Sequence, residues 1–155
     1  MDEERHETNS GPGWSKVGMA SVAGNLPELL MSHVMAEGRW HLLIEDGPEA
    51  GRYVQTLTDE DGDIHLECVS NRFLTDADKL FSDEEAMLRI LGFNEPTPGP
   101  DSTRPNWWYD SEGLDVITAC SVIVEVLFGI FGITLDDPVW LLQRELVPTT
   151  SGTES

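Results

Sequence analysis

Positive charge is scarce in this chain of 155 residues. Nine Lys and Arg residues stand against 29 Asp and Glu residues, so the formal net charge is -20. Affinity for nucleic acids and for anionic membranes comes largely from cations that displace counterions, so neither is expected as a partner. The acidic surface favours solubility, and it would attract a basic segment of a polypeptide partner.

Cysteine is rare as well, and the two cysteines lie in apolar surroundings. Cys68 falls in a predicted strand and Cys120 in a predicted helix, a setting typical of buried free thiols. The chain opens with the acidic run MDEE, which has neither the basic nor the apolar region of a signal peptide. We therefore expect a reducing compartment and a cytoplasmic protein.

Long apolar runs without charge are missing too. Residues 114–135 are largely apolar and contain no Lys or Arg, but Glu125 lies near their centre, and an acid there costs roughly 2.5 to 3.5 kcal/mol on membrane insertion. Small and polar residues recur every three or four positions, which predicts one exposed stripe on a buried helix. The stripe consists of Asp115, Thr118, Ser121, Glu125, Gly129 and Gly132. The segment is predicted to be a core helix that does not span a membrane.

Signatures of catalysis and of cofactor binding are absent from the sequence. It has no nucleophile elbow, no phosphate-binding glycine loop and no dinucleotide fingerprint. A calcium loop that began at Asp59 would need Gly and Glu where the chain has Ile64 and Ser70. The His and Cys residues lack the paired spacing of zinc ligands. We predict no catalytic residue, no metal and no cofactor, and hence a protein that is not an enzyme.

Apolar residues are frequent enough for one folded domain. They make up 39% of the chain and include five Trp and five Phe, and a chain of this length buries roughly two thirds of its surface on folding. Residues 1–13 and 148–155 are polar and without periodicity, which predicts disordered tails. A single domain is expected over residues 14–147.

Two helices are indicated by apolar spacing and end signals. The first covers residues 25–36, with Asn25 as N-cap and Pro27 in the first turn. The second covers residues 82–91, where Ser82 begins a capping box with the acid three positions later. Two acids in the first turn also favour this helix, because they face the positive end of its dipole.

Strands are predicted where aromatic and β-branched residues cluster. Residues 40–45, 52–58 and 64–70 form three strands, and the connections between them contain Asp-Gly, so an antiparallel meander is expected. Residues 106–109 follow a proline-rich loop and are predicted to form a short edge strand.

A last helix is predicted after Pro138, since Val139, Leu142 and Leu146 can pack from one face of it. The element order is then α-β-β-β-α-β-α-α. This order indicates an α+β fold in which a small antiparallel sheet of three to four strands packs against helices.

Several short segments carry a family resemblance. They are Tyr53-Val54-Gln55, Glu67-Cys68-Val69-Ser70-Asn71, Leu91-Gly92-Phe93, Pro105-Asn106-Trp107-Trp108 and Phe128-Gly129-Ile130-Phe131-Gly132-Ile133. In order and spacing the chain resembles the actinobacterial TY-Chap domains, which belong with YbjN-like proteins and type III secretion chaperones, over residues 20–142. The resemblance implies a secretion-chaperone-like α/β fold that often forms homodimers. Many such chaperones have two strands between the second and third helices, but Pro105 leaves room for about one, so the usual dimer geometry need not apply.

The resemblance also implies a function, which is to hold an extended, unfolded segment of a client polypeptide over the sheet and along its edges. The peptide-binding residues predicted on this basis are Tyr53, Val54, Val69, Trp107 and Trp108. The alternative for each is that it packs in the core. Two functional hypotheses follow, a non-catalytic peptide-binding chaperone or adaptor, and an immunity or regulatory protein that masks one folded toxin or enzyme.

Overall fold

A computed structural model describes residues 14–47, 51–99 and 103–146 of the chain. The strands are β1 (Trp14–Gly18), β2 (Arg39–Glu45), β3 (Tyr53–Thr58), β4 (Ile64–Cys68), β5 (Trp107–Tyr109) and β6 (Pro138–Leu146). The helices are α1 (Met19–Met35), α2 (Ser82–Leu91) and α3 (Val116–Glu125), the last continued by a π-helical turn over Val126–Ile130. The predicted α+β class is confirmed. The predicted tails lie outside the described residues.

The sheet is antiparallel throughout, with the strand order β1-β6-β2-β3-β4-β5. The predicted meander of β2, β3 and β4 is confirmed, and so is the edge position of β5. Between β3 and β4 the turn closes with Asp59 N–H donating to Asp63 C=O at 3.0 Å. Gly62 has a φ of 84° in this turn, a value that side chains rarely tolerate.

The predicted last helix is wrong, because Pro138–Leu146 forms the strand β6. It lies inside the sheet between β1 and β2, so the sheet has six strands and not three or four. Val139, Leu142 and Leu146 fit a helical period, but pairing with two neighbouring strands decides the conformation. Proline is compatible with this outcome, since it occupies the first position of the strand.

Helix α1 begins six residues earlier than predicted, at Met19. Asn25 is not the N-cap; it lies inside the helix, where its side-chain amide donates to Ser21 C=O at 2.9 Å. Pro27 is therefore also in the helix interior. The apolar period continues toward the N-terminus, and the buried residues of the helix show it. They are Met19, Val22, Leu26, Leu30 and His33.

Helix α2 is confirmed, but its N-cap is Phe81 and not Ser82. The Glu84 carboxylate accepts the Phe81 N–H at 2.7 Å, so an acid still satisfies one of the free donors at this helix end. Gly92 ends the helix in the left-handed region with a φ of 111°, as expected of a C-terminal glycine.

The predicted core helix is confirmed in part. Helix α3 ends at Glu125, and the π-helical turn carries the chain onward. All six residues of the predicted stripe are exposed. Cys68 and Cys120 are buried free thiols, as expected. Within the described part of the chain, no helix has the length and apolarity needed to cross a membrane.

The sheet has one face buried against the helices. Burial alternates along β3 and β4, as it does in a sheet with a single covered face. Leu42, Val54 and Leu66 point to the covered face and are at most 1% exposed. Trp40, on the same face of β2, stacks on His33 of α1 with ring centroids 5.0 Å apart. The helices therefore leave the opposite face for other contacts.

Gly92→Ala should destabilise the protein for two separable reasons. Its positive φ costs about 1–2 kcal/mol with a side chain, and a Cβ would lie 2.9 Å from Tyr109 Oη. Gly113→Ala is the matched control, since Gly113 has a φ of 76° and no atom within 4 Å of its Cβ position. In urea denaturation, the free energy of unfolding should fall further for Gly92→Ala than for Gly113→Ala, by about 1 kcal/mol or more. Equal losses would mean that contact with Tyr109 is unimportant.

Candidate functional site: the open face of the sheet

The helix-free side of the sheet, here called the open face, is the candidate site. One row of paired residues crosses all six strands on this face. From β1 to β5 the row is Trp14, Leu142, Leu43, Gln55, Glu67 and Trp108. Neighbouring strands lie about 4.8 Å apart, so five steps make the face about 24 Å wide.

The half of the open face near β1 and β6 is apolar and aromatic. Trp14 and Trp140 are half-buried, and so is Leu43, whereas Leu142 beside them in the row is buried and 6% exposed. Lys16 Nζ lies 5.4 Å from the centroid of the Trp140 ring, within the range of a cation–π contact. Such a surface offers a partner apolar area and flat aromatic rings.

A chain of hydrogen bonds crosses the middle of the open face. Arg144 Nε donates to His41 Nδ1 at 3.3 Å, and His41 Nε2 lies 2.8 Å from Gln55 Oε1. Gln55 Nε2 then donates to Glu67 Oε1 at 3.1 Å. Asn106 Nδ2 donates to the same Glu67 oxygen at 3.3 Å. Side chains of β6, β2, β3 and β4 are thus held in one network with the loop before β5.

Tyr53 joins this network through Asn106, which is 5% exposed. Asn106 Nδ2 donates to Tyr53 Oη at 3.2 Å, and Asn106 Oδ1 accepts the Ser70 N–H at 3.1 Å. Burial raises the pKa of Tyr53, although the hydrogen bond from Asn106 opposes the shift. Tyr53 therefore stays a neutral phenol with a fixed orientation, and its ring remains half-exposed on the open face.

The neighbours of His41 define its tautomer. A guanidinium can only donate, so Nδ1 must accept from Arg144 and the ring proton lies on Nε2, facing Gln55. Burial lowers the pKa of His41; the hydrogen bond to Gln55 opposes this shift and the charge of Arg144 adds to it. The network therefore requires a neutral His41.

A cavity of about 240 Å³ opens beside this network. Its walls combine the apolar side chains of Leu57 and Leu146 with the polar side chains of His41, Gln55, His65, Glu67 and Arg144. Mixed walls of this kind suit one side chain of a bound polypeptide, with apolar contact on one side and a charged group on the other.

The structure separates the predicted peptide-binding residues. Tyr53 and Trp108 lie on the open face, where both are half-exposed. Val54 is 1% exposed, Val69 0% and Trp107 2%, and these three side chains contribute to the core. A ligand on the folded protein can therefore contact the side chains of Tyr53 and Trp108, but not those of the other three.

Most of the apolar open-face residues were not anticipated from the sequence. Trp14, Trp140 and Leu142 belong to β1 and β6, which sequence analysis did not recognise as strands. Register places Trp140, Leu142 and Arg144 on the open face and Leu141 and Gln143 on the covered face, so both faces of this segment carry apolar residues and the sequence shows no clean alternation. The two adjacent leucines fit a helix equally well.

The edge of the sheet at β5 is partly occupied. Asn94 N–H donates to Trp108 C=O at 2.7 Å, and Trp108 N–H donates to Asn94 C=O at 3.1 Å. Both outward backbone groups of Trp108 are therefore used. Arg104 lies over the Trp108 ring, with its guanidinium carbon 4.0 Å from the ring centroid. An added strand would meet this obstacle at β5, whereas none of the described helices covers the open face.

One acidic cluster is the candidate cation site among the described residues. The carboxylates of Asp59, Asp61 and Asp63 lie within 4.8 Å of one another. Asp59 Oδ1 already accepts the N–H groups of Asp61 and Asp63, and Asp59 Oδ2 lies 3.1 Å from His65 Nε2. Slight burial opposes the effect, but these hydrogen bonds lower the pKa of Asp59. The cluster thus has a structural role in closing the turn.

Comparison with known proteins agrees with this geometry. Residues 27–146 match the protein family described as T3SS (YopN, CesT) and YbjN peptide-binding chaperone 3, or TY-Chap3. The match extends from within α1 to the end of β6 and covers well over half of the chain. The chain belongs to the TY-Chap3 family. No curated protein and no solved structure matches it.

Membership of TY-Chap3 confirms the resemblance expected from the sequence. The family is a peptide-binding chaperone family by its description, which supports a polypeptide client for this chain. The matched residues contain five of the six strands of the open face, all except β1. The TY-Chap3 unit therefore includes the hydrogen-bond network, Tyr53, Trp108 and Trp140.

Acidification should weaken the folded state through two buried histidines. Burial lowers the pKa of His33 and of His41 below the ordinary 6.5, so between pH 7.5 and 5.5 the unfolded chain takes up protons that the folded chain resists. Their stabilising contribution is complete above pH 6.5 and is lost as the pH falls through the lowered values. The free energy of unfolding, measured with urea, should decrease over this range.

The His41→Gln variant isolates the part of this effect that comes from the open face. Glutamine can accept from Arg144 and donate to Gln55, but it does not titrate. The decrease in unfolding free energy between pH 7.5 and 5.5 should therefore be smaller than in the wild type, and His33 accounts for what remains. An unchanged decrease would exclude His41 as a contributor.

Proposed function

We propose that this protein is a non-catalytic peptide-binding chaperone or adaptor that holds an extended client segment against the open face. The observation that carries the proposal is the set of half-buried aromatic side chains on the side of the sheet that no described helix covers, namely Trp14, Tyr53, Trp108 and Trp140. Membership of a peptide-binding chaperone family supports it.

The dimensions of the open face suit a short extended segment. Trp140 on β6 and Trp108 on β5 are four strand steps apart, which corresponds to about 19 Å. An extended chain advances about 3.3 Å per residue, so roughly six residues reach from one indole to the other. Polar groups with unused hydrogen-bonding capacity lie between the two rings. They can form hydrogen bonds with the client backbone without selecting its sequence.

Binding across the face accounts for the aromatic residues better than strand addition does. An added strand would use backbone groups at an edge, and at Trp108 these groups are bonded to Asn94. Aromatic anchors at the two ends of a groove, with weaker contacts between them, are typical of peptide sites. We assign the site to Tyr53, Trp108 and Trp140, with the network as its polar floor.

The cellular compartment and the oligomeric state are also part of the proposal. Two buried free thiols fit a reducing compartment, and we place the protein in the cytoplasm. The homodimer that the family resemblance implies stays a prediction, which sedimentation velocity of the purified chain checks.

The Trp140→Ser variant tests the open face directly. The probes are fluorescein-labelled 15-residue peptides that are unstructured, carry no net charge and have apolar residues at every second position. Fluorescence anisotropy should give micromolar affinities for several of them, and Trp140→Ser should weaken each by about tenfold, since buried aromatic anchors contribute about 1–3 kcal/mol. Trp108→Ser should act in the same direction from the other end of the face.

Ile90→Ser is the matched control for these variants, because Ile90 lies on α2 and is 83% exposed. It should leave peptide affinity unchanged, and urea denaturation should show that all variants remain folded. Failure of every neutral peptide to bind would contradict the proposal. Tight, stoichiometric binding of one folded protein, with no affinity for unstructured peptides, would favour the immunity or regulatory function.

A further inference from the structure

Cations are distributed unevenly over this acidic molecule. The strand register places Lys16, Arg39 and Arg144 on the open face, although Lys and Arg number nine in the whole chain against 29 acids. The acids that the register places on the same face are Glu45 and Glu67. The open face is therefore locally basic by comparison with the rest of the protein.

The pairing of these charges also differs, although Arg72, outside the open face, donates to Gly99 C=O and likewise forms no salt bridge with a described carboxylate. Three cations outside the open face each form a salt bridge with a carboxylate. The pairs are Arg52 with Asp46 at 2.8 Å, Lys79 with Asp76 at 3.3 Å and Arg89 with Glu95 at 2.7 Å. By contrast, Lys16, Arg39 and Arg144 form no salt bridge with any described residue. Their charge is available to a ligand.

The immediate partners of Arg144 and Lys16 leave their charge uncompensated, whereas Arg39 lines a pocket together with Asp59, Glu60 and Asp61. Arg144 donates to a neutral His41, and Lys16 lies over the Trp140 ring. Glu67, in turn, accepts hydrogen bonds from Gln55 and Asn106, so its oxygen is directed into the network. A carboxylate on a ligand would supply the opposite charge that Lys16 and Arg144 lack.

Arg39 and Arg144 are placed to act together. Arg144 pairs with His41, and Arg39 pairs with Leu146, so the two arginines are diagonal neighbours on adjacent strands, roughly 7–8 Å apart at their Cβ atoms. Arg144 and Leu146 also line the cavity of about 240 Å³ together with Leu57 and Glu67, whose Oε1 accepts from Gln55 and Asn106. A client segment with an acidic side chain beside an apolar one would contact both the arginines and the leucines.

We propose that the client segment of the open face is acidic, with Asp or Glu between apolar residues, and that Arg144, Arg39 and Lys16 recognise its carboxylates. This inference rests on the proposed function and specifies its substrate class. Local charge outweighs the net charge of the chain here, since charges farther than about 8 Å are largely screened at physiological ionic strength. The basic client expected from the sequence followed from the net charge of the chain alone.

The test uses three versions of one fluorescein-labelled 12-residue peptide. Leu and Tyr occupy alternate positions, and three positions between them carry Glu, Gln or Lys. By fluorescence anisotropy in 0.15 M NaCl, the Glu peptide should bind about tenfold more tightly than the Lys peptide, with the Gln peptide between them. Arg144→Glu should abolish or reverse this preference, and Arg144→Gln should reduce it.

Lys79→Glu is the control, because it changes the net charge by the same amount as Arg144→Glu at a site away from the open face. It should leave the preference for Glu intact, and urea denaturation confirms that each variant is folded. Tighter binding of the Lys peptide, or equal loss of preference in Lys79→Glu, overturns the inference. Equal affinity for all three peptides, each weakened by Trp140→Ser, overturns it while the proposed function stands. Binding of none overturns both.

Discussion

The insertion of β6 between β1 and β2 is the constraint on which the rest of the structure depends. It joins the last described strand to the first two, so the sheet is complete only when both ends of the fold have met. Met19 N–H reinforces the junction by donating to Asp137 C=O at 2.8 Å. Without β6, β2 would become an edge strand and β1 would have no partner, and such edges favour pairing with other chains.

This insertion also gives the open face its apolar and aromatic half. The three-stranded meander alone would present mainly polar residues, among them His41, Gln55 and Glu67. β1 and β6 add the two indoles of Trp14 and Trp140 and widen the sheet by two strands. The covered face and the open face thus depend on one pairing event, so the stability of the fold and the composition of the open face are coupled through the same strand.

The sequence predicts those parts of the fold that local chemistry decides. Turns with Asp-Gly, alternating strands and the acids of α2 identify the meander and α2 without reference to the rest of the chain. β6 could not be recognised in this way, because both of its faces carry apolar residues, such as Leu141 and Leu142. Its conformation is decided by partners more than 90 residues away, and no local window contains that information.

Sequence reasoning could name a strand of the candidate site but not the face on which its side chains lie. Selecting Trp107 and Trp108 together named a single strand, but adjacent residues of a strand point to opposite faces, so only one of them can be on the open side. Which one is exposed depends on where the helices pack. The charge of the open face could not be predicted from the sequence. Composition gives only the net charge of the whole chain, whereas strand register decides which few cations share a face. A net charge of -20 therefore does not fix the charge of any one face of the sheet.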